Sequence, residues 1–435
     1  MKEVLIVGAG LAGCEAALTL ASLGIKVTLF EAKPIEASPA HHSDNFAEVV
    51  CSNSFKSNDP FTASGLLKAE LRLLGSPLLA VADSVKVPAG GALAVDRERF
   101  SSIATARIKE NPNITVISKI VDSIDLTKPT IIATGPLTLS PLGDFISGLL
   151  GQNLYFYDAA APIISAESVI AEHTFTASRY GKGEDDYINC PLSREEYYDF
   201  IKELVSAERA TLKSFEKSEI FEGCMPVEVM ADRGVDTLRF GPLKPVGLTN
   251  PKTGRWAYAC LQLRKEDENG NMYNLVGFQT NLLWGEQKRV FSIIPALKRA
   301  EFLRYGVMHR NTFINSPKFL NIDYSLKDYP KTFFAGQITG VEGYVESAAS
   351  GLMSAIYLER KIKGKKEVYI SDTTVLGALA RYITTENKDF EPMNANFGVL
   401  PPLNRVVKDK AQRKNALAER SLESVSEFIK EINND

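Results

Sequence analysis

Long charge-free apolar runs are missing from this chain, and cysteine, histidine and tryptophan are scarce, at 5, 4 and 2 of 435 residues. Without a run of about eighteen apolar residues there is no candidate membrane span, and the N-terminal apolar segment carries a glycine turn where a leader would carry a cleavage site. A soluble, cytoplasmic protein is expected. The cysteines (Cys14, Cys51, Cys190, Cys224 and Cys260) are scattered, odd in number and without C-x-x-C spacing, which argues against a disulfide framework or a zinc site. Only His41 and His42 are neighbours, so no metal centre is expected. Neither sign of charge dominates: the net charge is −3. A polyanionic partner would therefore have to meet a local basic face. Residues 184–232 carry 5 Lys/Arg against 13 Asp/Glu, whereas residues 233–310 carry 13 against 6, so a basic groove would draw on the second block.

What the chain does have is concentrated at Val4–Glu31. Val4–Val7 is short and β-branched, as in a buried parallel strand. Gly8, Gly10 and Gly13 follow in G-x-G-x-x-G spacing, then a helical stretch from Leu11 to about Leu23, and a second strand at Lys26–Phe30 that delivers Glu31. Strand, turn, helix, strand and acid in this register predict a dinucleotide site. The Gly8-Ala9-Gly10-Leu11-Ala12-Gly13 backbone approaches a pyrophosphate at a helix N-terminus, and Glu31 accepts from a ribose. FAD and NAD both fit this pattern; the N-terminal placement leans towards FAD.

Downstream, Ala32–Ser57 reads as a long polar loop of the kind that carries function, and Asp59–Gly75 as a helix with Leu66, Leu67, Leu71 and Leu74 on one side. Ile114–Ile117 and Ile131–Ala133 read as further buried strands, the latter running into Thr134 and Gly135, where small residues let the chain pass close to a cofactor. From about residue 160 to 325 the periodicity is mixed, with a helix expected over Arg194–Lys217 and strands at Thr237–Phe240 and Trp256–Leu263, as in an α+β insertion. A strand then returns at Thr332–Phe334, followed by Gly336, Gln337 and Gly340 and a helix over Val345–Leu358, which would set a second helix N-terminus over the cofactor. The basic tail from Asn404 ends in an amphipathic helix from Ser421 to Ile432. The expected architecture is α/β: a discontinuous Rossmann-type dinucleotide-binding domain (1–160 and 325–435), interrupted by an α+β domain (161–324).

Two thiols stand out. Cys224 is followed by a dense set of charges, and cations such as Arg233 or Arg239 would lower its pKa if the fold brought them close; a buried structural cysteine fits the same residues. Cys51 lies in a polar loop beside Ser52, Asn53 and Ser54, an unusual setting for a core thiol. Tyr344 follows the second glycine turn, where an aromatic ring can stack on a flavin or simply pack in a core.

Taken together, VGAGLAGCEAA (Val7–Ala17), PAHHSDNFAEVVCSNS (Pro39–Ser54), VPAGGALAVDR (Val87–Arg97), IIATGPLT (Ile131–Thr138), CMPVEVMADRGVDTLRFGPLKPVGL (Cys224–Leu248) and GQITGVEGYVESAASG (Gly336–Gly351) resemble the folate- and FAD-dependent tRNA uridine-5-methyltransferase family, relatives of the tRNA wobble-uridine modification flavoproteins. The resemblance covers nearly the whole chain. It implies that the dinucleotide-binding domain is a Rossmann-type FAD-binding domain of the glutathione-reductase kind, with FAD as cofactor, methylenetetrahydrofolate as carbon donor, NAD(P)H as reductant and a T-loop uridine of tRNA as acceptor. It also implies Cys224 and Cys51 as the active-site thiols and a flavin stacked on Tyr344. Arg233, Arg239, Lys244, Arg255, Arg264 and Lys265, from the basic block, are the candidate RNA contacts. Where the family commonly reads Leu-Arg after Cys-Ser-Asn-Ser, this chain has Phe55-Lys56, which leaves a ribosomal RNA uridine as an alternative acceptor. A wobble-uridine modifier and a non-catalytic RNA-binding flavoprotein are the other readings.

Overall fold

A computed structural model describes residues 3–38, 40–151, 154–181, 184–210, 225–388 and 390–434, with the backbone alone for strand residues 154–158, 309 and 310. The first sheet is five-stranded and parallel, in the order Thr332–Phe334, Thr130–Ile132, Glu3–Val7, Lys26–Glu31, Ile114–Ser118. Val7 lies opposite Phe30 on one side and Ile132 on the other, and Ile132 in turn faces Phe334. The C-terminal ends of these strands therefore line up, and the turns that leave them meet along one edge, where open α/β sheets bind ligands.

Two helices close over the opening strand. Leu11–Ser22 and Tyr344–Lys363 are rich in small residues and nearly fully buried at their contact. A Cβ on Gly351 would lie 2.2 Å from the Ala12 carbonyl oxygen, and one on Gly13 1.8 Å from that of Gly8. Glycine at these two positions is what allows helix to meet helix and turn. The same core takes in Leu66, Leu67 and Leu71 from the helix Ala63–Leu73, and Val425 and Phe428 from the last helix. That last helix runs over Lys410–Asn433, a full three turns earlier than Ser421: Asp409 accepts from the Gln412 N–H and starts it, so Lys410, Arg413, Lys414 and Arg420 of the basic tail lie on it, while Arg405 and Lys408 precede it.

The second sheet is six-stranded and antiparallel, in the order Phe175–Thr176, Tyr187–Leu192, Ala259–Lys265, Met272–Leu275, Ile163–Ser165, Phe302–Arg304. It packs against the helix Arg194–Ser206, held by a Ser193/Glu196 capping box, around a core of its own that includes Tyr197, Phe200, Phe278 and Phe291. A two-stranded ribbon, Leu154–Ala159 with Met308–Phe313, joins the two sheets. Within this region Thr237–Phe240 is a 3-10 turn rather than a strand: the six residues between Gly234 and Gly241 turn on themselves, with the Thr237 N–H donating to the Gly234 carbonyl and the Arg239 N–H to that of Asp236. The strand expected from Trp256 starts three residues later, at Ala259, and the helix begun at Arg194 ends at Ser206.

Candidate active site

A cleft enclosing about 1190 Å³, open to solvent, runs along the carboxyl edge of the parallel sheet. Gly8, Ala9, Gly10, Leu11 and Ala12 form its floor, Glu31 and Lys33 one end, Thr134 and Gly135 a side, and Gly336, Gln337 and Tyr344 the other end. Gly8 (φ +99°) and Gly336 (φ +85°) take conformations that a side chain would strain, and a Cβ on Gly8 would meet the Ala133 carbonyl oxygen at 2.6 Å. Bare backbone thus faces the cleft beside the first turn of Leu11–Ser22, as a pyrophosphate requires. Glu31 is held in place: the Ala9 N–H donates to Oε2 at 2.6 Å and the Lys33 N–H to Oε1 at 3.0 Å, leaving lone pairs on both oxygens for ribose hydroxyls. Gly13 supports the turn from behind. Gly340 departs from expectation: its hydrogen side packs against the Phe390 ring and does not line the cleft, because the turn after Gly336 folds back into the core.

The polar loop closes over this cleft. The Ala47 N–H donates to the Ala9 carbonyl at 2.9 Å, Lys33 Nζ donates to the Ser43 and Asn45 carbonyls, and the His42 and Ser43 N–H groups donate to Glu48. His41 lines the cleft, with Nδ1 2.6 Å from Ser38 Oγ. Burial lowers the pKa of both histidines, assisted by Lys33 for His41 and by Arg304 for His42.

Where the loop leaves the cleft it presents Cys51. The Cys51 and Ser52 N–H groups both donate to Tyr344 Oη, at 2.7 and 3.1 Å, and Cys51 Sγ lies 3.8 Å from the Ala159 carbonyl oxygen. Burial pushes the Tyr344 phenol well above its usual range, so it is a neutral acceptor and hydroxyl at physiological pH. Phe55, the loop's departure from the family pattern, is buried between Phe100 and Tyr344, with ring centroids at 5.4 and 5.7 Å. Lys56 places Nζ 3.4 Å from Glu346 Oε1. Cys51 is half-buried, whereas Cys14, Cys190 and Cys260 are buried; desolvation pushes those three thiols up, Cys260 to about 12, which makes them poor nucleophiles. Cys224 lies outside the described residues.

Arginine does more here than the sequence suggests. Arg97, set at the start of the helix Arg97–Lys109 by the Asp96 cap, donates from Nη1 to the Val49 and Val50 carbonyls and pairs through Nε with Glu266 of the second sheet region. Arg264 corrects an expectation. At 6% exposure it cannot meet RNA; its guanidinium donates to Asn53 Oδ1 at 2.9 Å and Ser52 Oγ at 2.8 Å, so it supports the Cys51 loop. Its neighbour Lys265 is half-buried at the end of the same strand. Arg239 is half-buried over the Tyr258 ring, 3.7 Å from its centroid, Lys244 is half-buried, and Arg233 and Arg255 are exposed. A single arginine at a helix start carries no pattern in the sequence; only the tertiary fold brings Arg97 to residues 49 and 50.

Residues 3–366 match the family model described as glucose inhibited division protein A. Among curated relatives, the methylenetetrahydrofolate–tRNA-(uracil-5-)-methyltransferase TrmFO of Anoxybacillus flavithermus is 54% identical over 432 residues, covering 99% of this chain and all of that one. The protein of the same name from Listeria monocytogenes is 53% identical over 433 residues, again 99% of this chain and all of the relative. In fold, the chain is similar to GidA of Aquifex aeolicus in its form I crystal, with a TM-score of 0.71 at 16% identity over 98% of this chain and 76% of that one. The FAD-binding α/β architecture with its glycine turns, and the length and identity of these matches, lead to one statement: this chain belongs to the glucose inhibited division protein A family, on the branch of the folate-dependent tRNA (uracil-5-)-methyltransferases.

Proposed function

We propose that the protein transfers one carbon from methylenetetrahydrofolate to C5 of the T-loop uridine of tRNA, with NAD(P)H as reductant and FAD as bound cofactor. The observation that carries this is the end of the cleft, where a half-buried thiol, Cys51, is fixed through its own backbone N–H to Tyr344 beside bare glycine backbone. The relatives at 53–54% identity over the full chain supply the chemistry that such a site serves.

Gly8–Ala12 would hold the pyrophosphate, Glu31 the ribose, and Gly336, Gln337 and Tyr344 the flavin end. FAD, when bound, supplies carriage for the carbon unit and the reducing equivalents that lower it to a methyl group. The chain's part is to prepare the acceptor. Uracil C5 becomes nucleophilic only after a thiolate adds at C6, and that addition is reversed when the C5 proton leaves. Cys224 is assigned to the attack and Cys51 to the flavin side. The balance is uridine, methylenetetrahydrofolate, NAD(P)H and a proton giving 5-methyluridine, tetrahydrofolate and NAD(P)⁺.

In this reading residues 1–160 and 325–435 carry FAD, residues 161–324 meet the RNA, and the protein works in the cytoplasm; among the described residues no helix is long and apolar enough to cross a membrane. Phe55 is buried and the exposed Lys56 pairs with Glu346; a ribosomal RNA uridine is the alternative acceptor. The deciding experiment incubates the purified protein with labelled methylenetetrahydrofolate, NADH and either unmodified tRNA or ribosomal RNA. Labelled 5-methyluridine in tRNA alone is expected, and its absence refutes the proposal. Cys224→Ala should abolish methylation while retaining flavin.

A further inference from the structure

Away from the cleft, three aromatic rings are stacked in parallel. Trp284 opens the helix Trp284–Phe291 and lies 5.4 Å from the Tyr305 ring at an interplanar angle of 9°; Tyr305 lies 5.3 Å from Phe302 at 3°. Phe302 roots the column in the second core, where it meets the buried Phe291 at 6.4 Å. One face of the Trp284 indole is covered by Tyr305, yet the residue is 61% exposed, so its other face is open to solvent. An aromatic face left open at the end of a column of parallel rings is a surface on which a further flat ring can stack.

The column is locked to the segment that leads to the active site. Gln287, one turn into the helix, clamps Gly306 from both sides: the Gly306 N–H donates to Oε1 and Nε2 donates to the Gly306 carbonyl, each at 2.8 Å. Next along, the Ala160 N–H donates to the Val307 carbonyl at 2.8 Å, and Ala159 is the residue whose carbonyl faces Cys51. The charge around the column suits a polyanion. Residues 284–304 carry 5 Lys/Arg against 2 Glu. Arg289 is engaged by Glu286 and Glu203, but Lys288, on the Trp284 side of the helix, and Lys298 and Arg299 beyond it are exposed and form no ion pair among the described residues.

We infer that the open face of Trp284, continuing the Tyr305–Phe302 stack on the helix that also carries the exposed Lys288, is a platform on which an unpaired base of the RNA substrate stacks. This rests on the reading that the substrate is RNA. A nucleobase continues a column of parallel rings whatever its sequence, and Lys288, one turn along the same helix, meets an adjoining phosphate. The platform thus holds RNA outside the target uridine, and its loss weakens binding without touching the flavin.

The test uses the full-length holoprotein and an unmodified tRNA transcript. In a Trp256→Phe background Trp284 is the sole indole, and tRNA should quench its fluorescence. Trp284→Ala should weaken tRNA binding about 5- to 150-fold, the range of one base–aromatic stack. Trp284→Phe should keep most of the affinity, and flavin content and flavin reduction by NADH should match the parent in both variants. Unchanged tRNA affinity in Trp284→Ala overturns the inference, as does loss of self-association in that variant with RNA binding intact. Should the parent bind tRNA but give no 5-methyluridine, the methyl-transfer reading fails and the platform stands. Should the parent bind no tRNA, both fail.

Discussion

The Cys51 backbone N–H donates to the hydroxyl of Tyr344, 293 residues away in sequence, at 2.7 Å. One phenol thereby joins the loop that carries the thiol to the helix that closes over the cofactor cleft. The Ser52 N–H shares the same acceptor, so one oxygen takes two of the loop's backbone donors, beside the contacts that Arg97 and Arg264 make to it.

Tyr344→Phe should therefore leave two N–H groups without an acceptor. Each orphaned donor costs about 1–3 kcal/mol, and methyl transfer should fall at least tenfold while flavin remains bound. Urea unfolding and a single-turnover methylation assay measure the two effects separately; a variant with full activity would show that the loop is held by other means.

Arg264 offers a contrast. Because it binds Asn53 and Ser52 from the interior, Arg264→Lys should lower kcat through a misplaced loop and leave tRNA affinity within about twofold, since a lone ammonium cannot reproduce a two-pronged guanidinium contact. A filter-binding titration alongside turnover distinguishes this from an RNA contact, for which affinity would drop and kcat would hold.

The close approach of the two cofactor helices predicts an effect of size alone. In Gly351→Ala the new methyl would sit 2.2 Å from the Ala12 carbonyl oxygen, forcing the helices apart at a cost of about 2 kcal/mol or more. Purified variant should carry less flavin and melt earlier than the parent; flavin absorbance per protein and a thermal scan report both.

Glu15, on the helix behind the glycine turn, is buried, with the Leu78 N–H donating to it at 2.9 Å. Burial raises its pKa from 4.5 to about 7. Between those values the native state holds a proton that the unfolded chain has released, so stability contributed by this group is full below about pH 4.5, declines as pH rises and levels off above about pH 7. Glu15→Gln should remove this slope. Urea midpoints at several pH values in parent and variant give the answer, and parallel curves would refute it.

Thiol accessibility gives a further check. Cys14, Cys190 and Cys260 are buried with raised pKa values, and Cys51 is half-buried at the cleft. At pH 8 iodoacetamide should label Cys51 at least tenfold faster than those three in the native holoprotein, as peptide mass spectrometry would show. Equal rates would remove Cys51 from the active site.

Local chemistry determined the elements that the sequence makes plain. Gly8, Gly10, Gly13 and Glu31 belong to one continuous strand–turn–helix–strand unit whose parts lie within hydrogen-bonding reach along the chain, and Thr332–Phe334 with Gly336 repeats the strand and turn. Such units are legible because neighbours in sequence are neighbours in space. Tertiary structure decided everything that depends on distant segments meeting: Arg97 against residues 49 and 50, Arg264 turned inward to Asn53, and Gly340 closed off by Phe390. Charge and periodicity do not say which way a strand residue faces when both faces are covered. For Arg264 the deciding fact was burial in a two-sided sheet, where a cation persists only if partners such as Asn53 and Ser52 are waiting for it.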